Sequence, residues 1–93
     1  MIKTRFLRSF DESFRGLPPR EAASAESVVS RLIDYFSGRT RPPGLGLRKL
    51  KGRYWEIRAS LDLRILFLLE EDTATFVIVG NHDAIRRRLR ARH

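Results

Sequence analysis

The stretch YWEIRASLDLRILFLL, residues 54–69, decides the fold. Its first part alternates. Trp55, Ile57 and Ala59 fall on one side; Tyr54, Glu56 and Arg58 fall on the other. A period of two predicts a half-buried strand over Tyr54–Ser60. Leu63–Leu69 is apolar except at Arg64 and predicts a strand in the middle of a sheet. An acidic turn is expected over Glu70–Ala74 and a last strand over Phe76–Val79. Three consecutive strands with short connections make an antiparallel meander.

Outward from this meander the period changes. Residues 39–47, RTRPPGLGL, form a loop, because two prolines and two glycines oppose regular structure there. Before it, Ala22, Ala25, Val28, Val29, Leu32, Ile33 and Phe36 fall on one helical face, with Gly38 suited to the C-terminal cap. Earlier still, Phe6, Leu7, Phe10, Phe14 and Leu17 form a second helical stripe, ended by Gly16 and Pro18-Pro19. Both stripes read as core rather than as a cofactor site. Ile2–Arg5 is a short strand. On the far side, Gly80-Asn81-His82-Asp83 leaves the sheet. Ala84–Arg92 then forms a short helix with Asp83 as N-cap and Ile85 and Leu89 facing inward. The order is β-α-α-β-β-β with a C-terminal helix, a compact α+β single domain over residues 1–93.

Composition narrows the function. The chain has no cysteine and only two histidines, His82 and His93, so no metal and no other cofactor is expected. The longest apolar run is Ile65–Leu69, against the roughly 20 residues that a membrane-spanning helix needs. The N-terminus lacks an apolar signal core. No membrane association is expected, and the cytoplasm is the default location. Nineteen Lys and Arg face eleven Asp and Glu, for a formal charge of +8. All of these cations except Lys3, Lys49 and Lys51 are arginine, whose planar fork binds phosphate in two places at once. A polyanion, and RNA or DNA first, is the expected partner.

The cations fall in three groups: Arg48, Lys49, Lys51 and Arg53; Arg58 and Arg64; and Arg86, Arg87, Arg88, Arg90 and Arg92. Arg58 and Arg64 flank one hairpin and can share a sheet face. Arg64 interrupts an apolar strand, which is costly unless it is paired or lines a wet groove. It is compatible with a salt bridge to Glu56 or Asp62, and with a phosphate contact. The C-terminal arginines are equally compatible with phosphate binding and with a solvated helix face. His82 and Glu56 are the one plausible proton-transfer pair near this face. Metal-free RNA cleavage by the 2′-hydroxyl needs a base, an acid for the leaving 5′-oxygen, and cations for the developing charge. Tyr54, on the polar side of its strand, is a candidate for base stacking, while Trp55 reads as core.

Four segments in order resemble the RelE/ParE toxin superfamily. They are Lys49-Leu50-Lys51-Gly52, Tyr54-Trp55-Glu56-Ile57-Arg58, Leu63-Arg64-Ile65-Leu66-Phe67 and Val79-Gly80-Asn81-His82-Asp83. The likeness covers residues 45–88; residues 1–40 match in pattern only. It implies a RelE-like fold and the toxin of a bacterial type II toxin–antitoxin system, neutralised by a cognate antitoxin. RelE-like members cut mRNA on the ribosome, as metal-independent endoribonucleases (mRNA interferases) that inhibit translation. ParE-like members poison gyrase instead, and a catalytically degenerate homologue is a third possibility. Carried over by motif, Arg58, Arg64, His82 and Glu56 are the catalytic candidates. Lys49, Lys51, Arg53, Tyr54, Arg87 and Arg88 are the RNA-binding candidates. Two departures stand out. Glu56 lies near a position that is lysine in RelE itself, and Arg87 and Arg88 stand where RelE has a tyrosine.

Overall fold

A computed structural model describes residues 2–38 and 46–91. The elements are β1 (Lys3–Phe6), α1 (Arg8–Arg15), α2 (Pro19–Phe36), β2 (Arg48–Lys49), β3 (Tyr54–Arg58), β4 (Arg64–Glu70), β5 (Thr73–Gly80) and α3 (His82–Ala91). The five strands form one mixed sheet in the order β1-β5-β4-β3-β2. The meander β3-β4-β5 is antiparallel, as its sequence predicts. β1 joins β5 in parallel, and β2 adds an outer antiparallel strand that the sequence does not announce.

Several boundaries differ from the sequence expectation, each for a local reason. Phe6 belongs to β1 and not to the first helix, because it pairs with Phe76 and stacks on its ring at 5.0 Å. Pro19 opens α2 instead of closing α1; at the first helical position its missing N–H costs nothing. The acidic turn shrinks to Glu71 and Asp72, since Glu70 and Thr73 already pair across β4 and β5. Asp83 is not the cap of α3. The Asn81 side-chain oxygen accepts the Ala84 N–H at 2.8 Å, so α3 starts at His82. Residues 39–45 of the expected loop, and Arg92 of the expected last helix, lie outside the described residues.

The sheet has two covered faces. On one, Ile57, Ile65, Phe67, Phe76 and Val79 pack with Phe10 of α1 and Ala25, Val28 and Leu32 of α2. On the other, Leu66 and Val77 pack with Ile85 of α3, joined by Tyr54, Leu68, Ile78 and Leu89. The register shifts within β5. Phe67 pairs with Phe76 and Leu66 with Ile78, which leaves Val77 as an extra residue on β5. None of the described helices is long and apolar enough to cross a membrane.

Helix α1 also closes an open sheet edge. β1 stops pairing with β5 at Phe76, so the next polar groups of β5 need other partners. Ser9 Oγ donates to the Val77 carbonyl at 2.6 Å, and Ser13 Oγ accepts the Val79 N–H at 3.0 Å. The two serines are one helical turn apart and so face the same edge. Ser13→Ala leaves a buried N–H without its acceptor and is expected to cost about 1–3 kcal/mol. The Val79 amide should then exchange with deuterium far faster than the amides of β4, which denaturant unfolding and hydrogen exchange together would show.

Candidate nucleic-acid interface

Arg58 ends β3 and Arg64 opens β4, and the two are direct cross-strand partners. Such partners share a sheet face, where like charges repel. Glu56 lies on that same face, two residues before Arg58. It is only 2% exposed. A guanidinium nitrogen of Arg64 donates to Glu56 Oε2 at 3.0 Å. Arg48, the β2 partner of Glu56, brings its Nε to 3.8 Å from the same oxygen. A buried carboxylate persists only when it is paired and hydrogen-bonded. Here it tethers two arginines from different strands. The salt bridge that the sequence allows for Arg64 is therefore formed, and with Glu56 rather than Asp62.

The arginines differ in how much they can still offer a ligand. The Arg64 side chain is 20% exposed, so part of its guanidinium remains reachable. Arg58 is exposed and has no ionic partner among the described residues. Its backbone is pressed by the chain that enters β2. A Cβ on Gly46 would stand 2.9 Å from Arg58 Cβ, and Gly46 has a φ of 104°. Both facts require glycine at this position.

His82 opens α3, next to this cluster. Arg64 pairs across the sheet with Gly80, the last residue before the turn into the helix. Leu61, Asp62, Arg64, Asn81, His82 and Asp83 line one small open cavity of about 150 Å³. The positive end of α3 adds to the pull of Arg64 on an anion, while Asp62 and Asp83 on the rim oppose it. The structure thus brings Arg64 and His82 together. Glu56 does not line this cavity; it stands as the anchor of Arg64 rather than as a second open group facing His82.

The expected RNA-binding residues are dispersed. Lys49 pairs with Trp55, whose side chain joins the core beneath α1 and α2, so Lys49 sits on the opposite face from Arg58 and Arg64. Lys51, Arg53 and Tyr54 line another opening with Leu68, Glu70 and Leu89. Arg53 is ion-paired with Glu70. Tyr54 is half-buried and packs with the α3 cluster. On α3, Arg87 is exposed, whereas Arg88 is half-buried and its Nε has no acceptor among the described residues. Sequence reasoning groups Arg48 with the other cations but gives it no role at the site. Its link to Glu56 is set by the β2–β3 register, for which a two-residue strand leaves no pattern.

No family model and no curated protein matches this sequence. Solved structures do match in shape. A chain of the DinJ–YafQ toxin–antitoxin complex from E. coli superposes with a TM-score of 0.73 at 15% identity, over 90% of this chain and 96% of the other. A chain of the RelB–RelE antitoxin–toxin complex from Methanococcus jannaschii gives 0.71 at 19% identity, over 90% and 96%. The YoeB/ParE toxin from Agrobacterium tumefaciens gives 0.66 at 18% identity, over 87% and 99%. The fold is that of RelE-like toxins, as the sequence motifs imply.

Removing the anchor tests the geometry. Glu56→Ala strips the buried partner from Arg64 and Arg48 and is expected to lower stability by about 3 kcal/mol or more. Glu56→Gln keeps an acceptor of the same shape and should cost less. Thermal and denaturant unfolding of both variants would check the order.

Proposed function

We propose that this chain, built on the fold of RelE-like toxins, is the toxin of a type II toxin–antitoxin system and acts in the cytoplasm as a ribosome-dependent mRNA endonuclease. The observation that carries this reading is the shared cavity of Arg64 and His82, with Arg58 directly across the hairpin from Arg64. The cavity holds one cation and one titratable group, and a second cation stands across the hairpin from it.

In the proposed reaction the 2′-oxygen of the RNA attacks the adjacent phosphorus as the bond to the 5′-oxygen breaks. Arg58 and Arg64 hold the phosphate and stabilise the negative charge that builds on its oxygens. His82 gives a proton to the departing 5′-oxygen. The proton of the 2′-hydroxyl passes to a group supplied by the ribosome. Glu56 is buried, is held by Arg64 and does not line the cavity, so it is assigned a positioning role. Lys51 and Arg53 would meet flanking phosphates, with Arg87 and Arg88 extending the basic surface and Tyr54 bordering it, while Lys49, on the opposite face, would meet ribosomal RNA. A cognate antitoxin would neutralise the toxin. The proteins of like fold from E. coli and M. jannaschii are described as toxin–antitoxin complexes, which supports that partner.

Purified ribosomes programmed with a defined mRNA provide the test. Arg64→Ala and His82→Ala are each expected to reduce cleavage by roughly 100-fold or more. Glu56→Gln should lower the rate but retain measurable cleavage, with its loss partly restored at higher mRNA concentration. Cleavage indifferent to Arg64 and His82 would remove the site assignment. If induction in cells leaves translation running while a DNA-damage response rises, gyrase replaces the ribosome as target.

A further inference from the structure

A second cluster of cations stands toward the other end of the β3–β4 hairpin from Arg64. Two openings meet there, sharing Lys51 and Leu89. The first, of about 510 Å³, is lined by Tyr54, Leu68 and Leu89 together with Arg53 and Glu70. The second, of about 540 Å³, is lined by Lys51, Arg86, Leu89 and Arg90, and by no carboxylate among the described residues. Each has the size of a small-molecule site, roughly 300–1,000 Å³. The backbone holds the cations in place. Lys51 lies in the β2–β3 turn, where the Tyr54 N–H donates to the Lys51 carbonyl at 3.1 Å and the Leu50 N–H to the Tyr54 carbonyl at 2.8 Å. Gly52, at a φ of 62°, lets the chain reverse between them. Arg86, Leu89 and Arg90 stand at i, i+3 and i+4 and share one stripe of α3. Lys51, Arg86 and Arg90 are exposed, and none has an ionic partner among the described residues. Like charges one helical turn apart repel, so an anion between Arg86 and Arg90 relieves that repulsion.

We propose that the two openings form one nucleotide-binding site, with the phosphates held by Lys51, Arg86 and Arg90 and the base lodged against Leu68, Leu89 and Tyr54. The division matches the ligand. A nucleotide joins a flat ring to a strong anion, and here an apolar and aromatic compartment adjoins a cationic one. Bases of every kind pack on such side chains, because each has a π-face. Glu70 supplies the choice among them. Its carboxylate is ion-paired with Arg53 and lines the base compartment. An ionised carboxylate only accepts hydrogen bonds. It therefore favours the amino group of cytosine over the carbonyl that uracil carries at the same ring position. Leu68 lies four residues along β4 from Arg64, about 13 Å at the rise of a strand. The site is thus separate from the cavity of Arg64 and His82, and the inference does not rest on the cleavage proposed there. A free nucleotide and one unit of a single-stranded RNA present the same chemistry to it.

The test titrates the full chain with CTP, UTP or inorganic triphosphate and follows the amide NMR shifts. CTP is expected to move Gly52, Tyr54, Leu68, Glu70 and Leu89 while Arg64 and His82 stay still. UTP should bind roughly 3- to 10-fold more weakly, and Glu70→Gln should erase most of that difference. Arg86→Ala combined with Arg90→Ala, both at exposed positions that do not threaten the fold, should weaken CTP binding roughly 5- to 20-fold. A short oligonucleotide of 2′-O-methylcytidine, whose 2′-oxygen cannot attack, separates the two sources. Tighter binding than CTP at the same amides assigns the site to an RNA strand, and weaker binding assigns it to a free nucleotide. The proposal is overturned if inorganic triphosphate binds as tightly as CTP, which would leave a patch of cations and no base site. It is also overturned if CTP and UTP bind the unaltered chain alike, or if CTP moves Arg64 and His82 in place of Leu68 and Leu89.

Discussion

Glu56 buries a carboxylate between two arginines of neighbouring strands, and the layout of the cationic face follows from it. Arg64 opens β4 just before an apolar run, where an unpaired guanidinium would be costly. The Glu56 oxygen at 3.0 Å relieves that cost and fixes the direction of the side chain. Arg48 is drawn toward the same oxygen from the outer strand. Arg58, directly opposite Arg64, is left exposed with its charge available. One buried acid thereby keeps like charges together on a surface that would otherwise spread them apart.

That arrangement depends on the rest of the fold. Ser9 and Ser13 complete the hydrogen bonding of β5 where β1 ends, and so allow β5 to run on to Gly80. Val77, the extra residue of β5, packs into the α3 cluster. Asn81 then starts α3 immediately after the strand, which places His82 beside Arg64. Each of these features is small, and each bears on where the histidine stands relative to the arginine.

The two sides of the molecule carry different chemistry. The β3–β4 hairpin carries Arg58 and Arg64, and Arg64 lines a small cavity with His82 of α3. The α1–α2 hairpin presents an apolar channel with an acidic rim.

The sequence by itself determined the meander, the long stripe of α2 and the inward positions of α3, because each depends on a period of 2 or 3.6 within one segment; of the first stripe only Phe10 and Phe14 fall in α1. It also marked Arg58 and Arg64 as a pair, since a short hairpin leaves them few other arrangements. It did not determine that β1 would lie parallel to β5, that Asn81 would cap α3, or that Lys49 and Arg48 would part to opposite faces. Those outcomes rest on register and on pairing between distant segments. In a strand of two residues, a slip of one position exchanges the faces and leaves no trace in the local pattern. Only the tertiary structure decided that Arg48 joins Glu56, because only there do β2 and β3 meet.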